Sequence, residues 1–324
     1  MQHPKFILAR FSSIGDIVMA APVVQALRAH YGDEAQIDFI TLNKFKGATE
    51  LIAGINSIYT VEKSTVEVTP QLKENGYDYL IDLHSNVRSR SLARSLNILT
   101  FKINKLGAAR LSLVLGIRKR PVDHFIDRSL KLLSPFSISE CTDNPWGEIA
   151  FSKPEMELPK KYLALAPGAT HIGKRLPESS IDAICSNSDL PIVIVGGSDD
   201  TDLAKRFEDR YPSKVISAAG VCSLKETAHI MKYAQVAVGG DTGAMHIATA
   251  VGTALVSVWG CTRPSLGLYP WRTNPKSIIL QPEGRDNRPC SRHGARCRYK
   301  KLGKHLCIKD VTPERITSAI SSIL

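Results

Sequence analysis

Val236-Ala-Val-Gly239-Gly240-Asp241-Thr242-Gly243-Ala-Met-His246-Ile-Ala-Thr-Ala-Val251-Gly252 reads as a strand, a tight turn and a helix in immediate succession. Three apolar residues in a row suit a strand covered on both faces, as in a parallel sheet. The glycines let backbone approach a ligand, and Asp241 and Thr242 stand where the helix begins. A helix start with unpaired amides is a ready site for phosphate. His246, on the first helical turn, is open between that site and an ordinary core or capping histidine.

The same grammar recurs along the chain. Apolar runs at Phe6–Ala9, Ile37–Thr41, Tyr79–Leu83, Leu163–Ala166, Ile192–Val195, Val236–Val238 and Leu255–Trp259 alternate with helical patterns, which predicts βαβ units and parallel sheets. The polar, proline-containing segment Ser152–Lys161 reads as a linker, and a second βαβ series starts at Tyr162. A last helix is expected from Pro313 to Leu324 with Thr312 as its N-cap.

At 324 residues and 43% hydrophobic, the chain suffices for two domains with separate cores, which excludes a disordered or collagenous protein. Lys and Arg number 42 against 31 Asp and Glu, a net charge of +11 that favours an anionic partner. No run reaches the roughly 18 to 20 apolar residues of a membrane span, and the start is too short for a signal peptide, so a cytoplasmic location is expected. Aromatic content of 6% and the lack of a nucleic-acid motif speak against nucleic acid.

Near the start, Phe6–Ala9 leads through Arg10-Phe-Ser12-Ser13-Ile-Gly15-Asp16 into a helical pattern. Turns of this kind sit where ligands bind in open parallel sheets. Asp16 is open between a reactive carboxylate and a plain helix cap. Neither G-x-G-x-x-G nor a Walker loop is present there, which weakens a dehydrogenase or kinase reading. In the second half, Pro167-Gly168-Ala-Thr170-His-Ile-Gly-Lys174-Arg175 offers small residues and two cations, suited to a diphosphate or to mere surface charge. Ser198, Asp199 and Asp200, after Gly196-Gly197, suit ribose hydroxyls or a helix N-terminus.

Taken together, these motifs resemble glycosyltransferase family 9, the heptosyltransferases that move heptose from ADP-heptose onto the lipopolysaccharide inner core. The resemblance spans nearly the whole chain. It also takes in Asp78-Tyr-Leu-Ile-Asp82-Leu-His84 with its basic continuation, and His124-Phe-Ile-Asp127-Arg128. It implies an α/β GT-B fold: two Rossmann-like domains with parallel sheets facing a central cleft. The expected divisions are an acceptor domain at 1–155, a nucleotide-sugar domain at 156–311, and a helix at 312–324 packing back toward the first domain.

The implied reaction is inverting and metal-independent. Asp16 matches the general base and Lys174 the lysine that meets the leaving diphosphate. The implied donor set is Gly15, Thr170, Lys174, Arg175, Asp200, Asp241, Thr242, Gly243 and His246. The implied acceptor set is His84, Asn86, Arg88 and Arg90, for a lipid-linked saccharide. Lys105, Arg110, Arg118 and Lys119 around Leu111–Leu115 read either as a docking surface for the anionic cytoplasmic face of the inner membrane or as a solvated helix face. Alternatives in other classes are a GT-B transferase or epimerase using another nucleotide sugar, and a non-catalytic basic module gripping anionic lipid or nucleic acid.

Of seven cysteines, Cys141, Cys185, Cys222 and Cys261 read as scattered, whereas Cys290, Cys297 and Cys307 cluster. With His293 they form C-x2-H-x3-C-x9-C, which suits a tetrahedral structural zinc or else a set of free thiols.

Overall fold

The computed structural model describes residues 3–138, 143–283, 287–299 and 306–324; Cys141 lies outside them. The chain divides into two compact units, Met1–Lys105 with Phe125–Ala150, and Leu106–His124 with Phe151–Leu324.

The first unit carries β1 (Lys5–Ala9), β2 (Gln36–Leu42), β3 (Ser57–Val61), β4 (Tyr79–Asp82) and β5 (Leu99–Lys102) in one sheet of order β3-β2-β1-β4-β5. Every pairing in it is parallel. Side chains alternate across a strand, so Ile7 and Ala9 enter one core with Ile40, Leu80 and Leu92 while Phe6 and Leu8 are buried on the other face. The apolar run of β1 is continuous because helices cover both sides.

The second unit carries β6 (Leu163–Ala166), β7 (Ile192–Ile194), β8 (Val215–Ser217), β9 (Val236–Gly240), β10 (Leu255–Val258) and β11 (Ile278–Leu280). The order is β11-β10-β9-β6-β7-β8, again with every pairing parallel. In each unit the chain winds outward from its first strand and then returns to the first strand's other side. Both orders are those of Rossmann-like doubly wound sheets.

Two expected boundaries are corrected. The first unit ends at Ala150 rather than 155, and residues Leu106–His124 belong to the second unit. The reason is packing: Leu113 and Val122 bury against Leu266, and the Arg110 guanidinium donates to the Leu266 carbonyl at 2.7 and 3.0 Å. The final helix, Pro313–Ile323, is part of the second unit. Its stripe of Ile316, Ala319, Ile320 and Ile323 joins the second core with Ile181 and Ile184 of the helix Glu178–Asn187. Thr312 caps it as expected, its hydroxyl accepting from the Arg315 amide.

Candidate active site

Ligands of open parallel sheets bind outside the carboxyl ends of the strands where the winding reverses. In the first unit that point lies at β1 and β4, which are followed by the segments carrying Asp16 and His84; in the second it lies at β6 and β9, which are followed by those carrying Lys174 and Asp241. The residues singled out by motif therefore sit where the topology puts a site.

After β1 the chain forms a short helix, Ile14–Val18, and then a second one, Ala21–Tyr31. Pro22 near the start of the second, with no amide hydrogen, marks the break. Asp16 thus stands in the first turn of the short helix rather than in the preceding loop. Its Oδ2 accepts from the Ser13 amide at 3.1 Å and the Ser13 hydroxyl at 2.9 Å, and pairs with the Arg10 guanidinium at 2.8 Å. The capping role and a poised carboxylate are one arrangement. Gly15 is buried beside it.

Arg10 is the residue that motif reading missed, although it directly follows the apolar run of β1. It donates to the carbonyls of Ser12 at 2.5 Å and Leu83 at 2.6 Å, and stacks over Phe125 at 5.1 Å. These contacts tie the β1 loop to the β4 loop and aim a fixed cation at Asp16.

At the end of β4, Asp82 is buried and organises the following loop, accepting from the amides of His84 and Ser85 and from the Ser89 hydroxyl. His84 Nδ1 accepts from the Phe11 amide at 3.1 Å. Burial, then the nearby charges of Arg10 and Lys105, lower its pKa to about 3. The ring is therefore neutral at physiological pH, with its hydrogen on Nε2, a donor for an oxygen ligand. The Lys105 ammonium, also missed as a site residue, is pushed down by partial desolvation and by Arg10.

Asn86 spends its side-chain oxygen on the Ser89 amide at 2.9 Å, capping the helix Val87–Leu96. Arg88 donates to the Lys63 carbonyl and lies over Phe11 at 5.3 Å, and Arg90 donates to the Asn86 carbonyl. The acceptor set thus gathers on one loop and helix start, with Asn86 as its scaffold.

In the second unit Lys174 Nζ lies 2.7 Å from Asp241 Oδ2, with the carboxylate 5% exposed and the lysine 17%. Asp241 leads into the helix Gly243–Ala250, whose N-cap is Thr242. The Thr242 hydroxyl is buried with no hydrogen-bond partner among the described residues, and His246 is buried on the same turn. Gly240 must be glycine because a Cβ there would stand 2.2 Å from the Lys174 carbonyl. The lysine loop is pressed onto the end of β9.

Arg175 braces that loop, donating to the Ala169 carbonyl at 2.6 Å, while Thr170 is exposed on it. Asp200 accepts from the Gly197 amide at 3.1 Å, and its carboxylate fills the space over Gly168, where a Cβ would meet it at 2.0 Å. It joins the β6 and β7 loops.

Among the cysteines, Cys261, Cys290 and Cys297 bring their sulfurs within 4.8 Å of one another, and Cys307 Sγ lies 3.9 Å from Cys290 Sγ. The expected set is corrected here. Cys261, read as scattered, belongs to the cluster because β10 delivers it there, and His293 is not one of the three ligands gathered within that distance.

The model of glycosyltransferase family 9 (heptosyltransferase) matches residues 66–298. The chain belongs to glycosyltransferase family 9. It is 25% identical over 292 residues to lipopolysaccharide heptosyltransferase 3 of Escherichia coli K12, covering 80% of this chain and 83% of that one. The fold matches a family 9 glycosyltransferase from Veillonella parvula with a TM-score of 0.78 at 16% identity, over 100% of this chain and 98% of that one. It matches the E. coli ADP-heptose lipopolysaccharide heptosyltransferase II with a TM-score of 0.71 at 17% identity, over 98% of both. This family 9 member is a glycosyltransferase with the GT-B fold of the lipopolysaccharide heptosyltransferases.

Proposed function

We propose that the protein transfers heptose from ADP-heptose to a lipopolysaccharide inner-core saccharide with inversion at the anomeric carbon. Asp16 takes the proton of the acceptor hydroxyl as its oxygen attacks that carbon, and the bond to the diphosphate breaks. Arg10 and Ser13 hold the carboxylate in one orientation. His84 donates from Nε2 to the acceptor, with Arg88 and Arg90 supplying charge for its acidic groups.

The donor diphosphate lies on the amides opening Gly243–Ala250 and on the Thr242 hydroxyl. Lys174 meets the negative charge that grows as it leaves. Asp241 holds Lys174 in place and accepts from sugar hydroxyls. This reading assigns the leaving-group charge to Lys174 and backbone amides rather than to a metal ion.

The observation that carries the proposal is the Lys174–Asp241 pair at 2.7 Å beside a helix N-terminus with a buried, unpartnered hydroxyl. The donor named for the E. coli heptosyltransferase II supports ADP-heptose. Because the acceptor is carried by lipid, the protein docks on the cytoplasmic face of the inner membrane; no helix of the described residues is long and apolar enough to cross it.

A thermal-shift panel of ADP-, UDP- and GDP-heptoses tests the donor. ADP-heptose raises the melting temperature most, since a ligand stabilises the state that binds it. Selective stabilisation by a UDP-sugar contradicts the adenine assignment.

A further inference from the structure

We infer that Cys261, Cys290, Cys297 and Cys307 form a tetrahedral four-thiolate site for a divalent transition-metal ion, zinc by chemistry, and that this site clamps the loop carrying Lys174. Three sulfurs fall within 4.8 Å of one another and the fourth 3.9 Å from Cys290. A zinc tetrahedron with bonds of ~2.3 Å has edges of ~3.8 Å, so modest side-chain rotation closes the set. Cys261 and Cys307 are fully buried, Cys290 nearly so. All-sulfur tetrahedral sets select zinc or iron over harder cations.

A buried cation and a backbone amide lie against the cluster. Four thiolates around a divalent ion carry two net negative charges. The Arg263 guanidinium is 1% exposed, acts on the Cys307 sulfur, and has an Nε with no hydrogen-bond partner among the described residues. A buried cation of that kind is costly without an anion beside it. The Arg298 amide also donates to the Cys290 sulfur, a hydrogen bond that orients and stabilises a thiolate ligand.

The coupling to Lys174 is short. The Cys261 amide donates to the Gly173 carbonyl at 3.0 Å, and the Cys290 amide to the Cys261 carbonyl at 2.8 Å. A Cβ on Gly173 would stand 2.7 Å from Cys261 Sγ, and one on Gly294 3.0 Å from Lys174 Cγ. The cluster therefore forms the floor under Gly173 and the wall along the Lys174 stem. With the ion bound, three chain segments remote in sequence are fixed on one point, and the lysine projects from it.

This second half of the inference rests on the proposed donor role of Lys174; the metal site does not. The test begins with metal content by elemental analysis of full-length protein purified under reducing conditions. About one equivalent of zinc or iron per chain is expected, lost in Cys261→Ser and in Cys290→Ser and retained in His293→Ala. Less than about 0.1 equivalent after zinc reconstitution, or a Cys261→Ser variant that keeps its metal, overturns the site.

Cobalt(II) substitution adds a spectroscopic check. Thiolate charge-transfer bands of a four-sulfur tetrahedral centre are expected, and a spectrum with a histidine ligand overturns the ligand set. Calorimetry with ADP then reads the clamp. Affinity falls about tenfold when the ion is removed by a chelator and returns with zinc, while an unchanged affinity overturns the clamp. A metal-loaded protein that binds no ADP counts against the donor assignment, and the metal count still decides the site.

Discussion

At the scale of single residues, the chemistry turns on side chains whose ionisation is set by fixed neighbours. His84 is the clearest. Its folded pKa of about 3 lies below the ordinary 6.5, so as pH falls through 6.5 the unfolded chain takes up a proton that the folded protein refuses. Stability is therefore lost from about pH 6.5 downward, until the folded protein also binds the proton near pH 3. His84→Asn keeps an acceptor for the Phe11 amide and does not titrate. Denaturant midpoints between pH 7 and pH 4 are expected to fall less steeply in this variant than in the parent; equal slopes contradict the neutral histidine. The positions of Asp16, Lys174 and Asp241 after strands were legible in the sequence because strand-turn-helix grammar places them, whereas their roles were implied by the family resemblance alone. Arg10 was not legible, since a lone arginine after an apolar run carries no pattern and its value lies in the Leu83 carbonyl and Phe125 ring, remote in sequence.

At the scale of elements, what the sequence reveals follows burial. The strands read correctly, such as β1, β6 and β9, are central in their sheets and apolar on successive residues. Missed strands β3, β5, β8 and β11 are short or at sheet edges, and three of them expose at least one residue, so no apolar run marks them. The final helix was placed correctly in sequence, and the structure adds what its amphipathic stripe alone does not show, the second-unit core that it covers. Helix Gly107–Leu115 shows the opposite case. It packs inward through Leu113 and leaves Leu111, Leu115 and Ile117 exposed beside exposed Arg118, Lys119 and Arg120. An apolar ridge flanked by cations fits an anionic bilayer surface. Sedimentation with phosphatidylglycerol vesicles is expected to retain the parent protein and release a Leu115→Asp/Ile117→Asp variant several-fold. Equal retention of the two removes this surface from membrane docking.

At the scale of the whole molecule, the net charge of +11 resolves into local tasks. In the proposed reaction Lys174 serves a diphosphate and Arg88 and Arg90 an acidic acceptor, while Arg10 pairs with the Asp16 carboxylate and Arg263 is buried near Cys307. Two Rossmann-like units each place polar residues at the carboxyl ends of strands where the winding reverses, and the proposed function divides the reaction between them into acceptor activation and leaving-group stabilisation. The measurement that tests this division most directly pairs calorimetry and single-turnover kinetics on Asp16→Asn with ADP-heptose and an inner-core acceptor. The division predicts donor affinity within about twofold of the parent and a transfer rate lower by about 100-fold or more. Transfer at the parent rate with donor binding intact contradicts it.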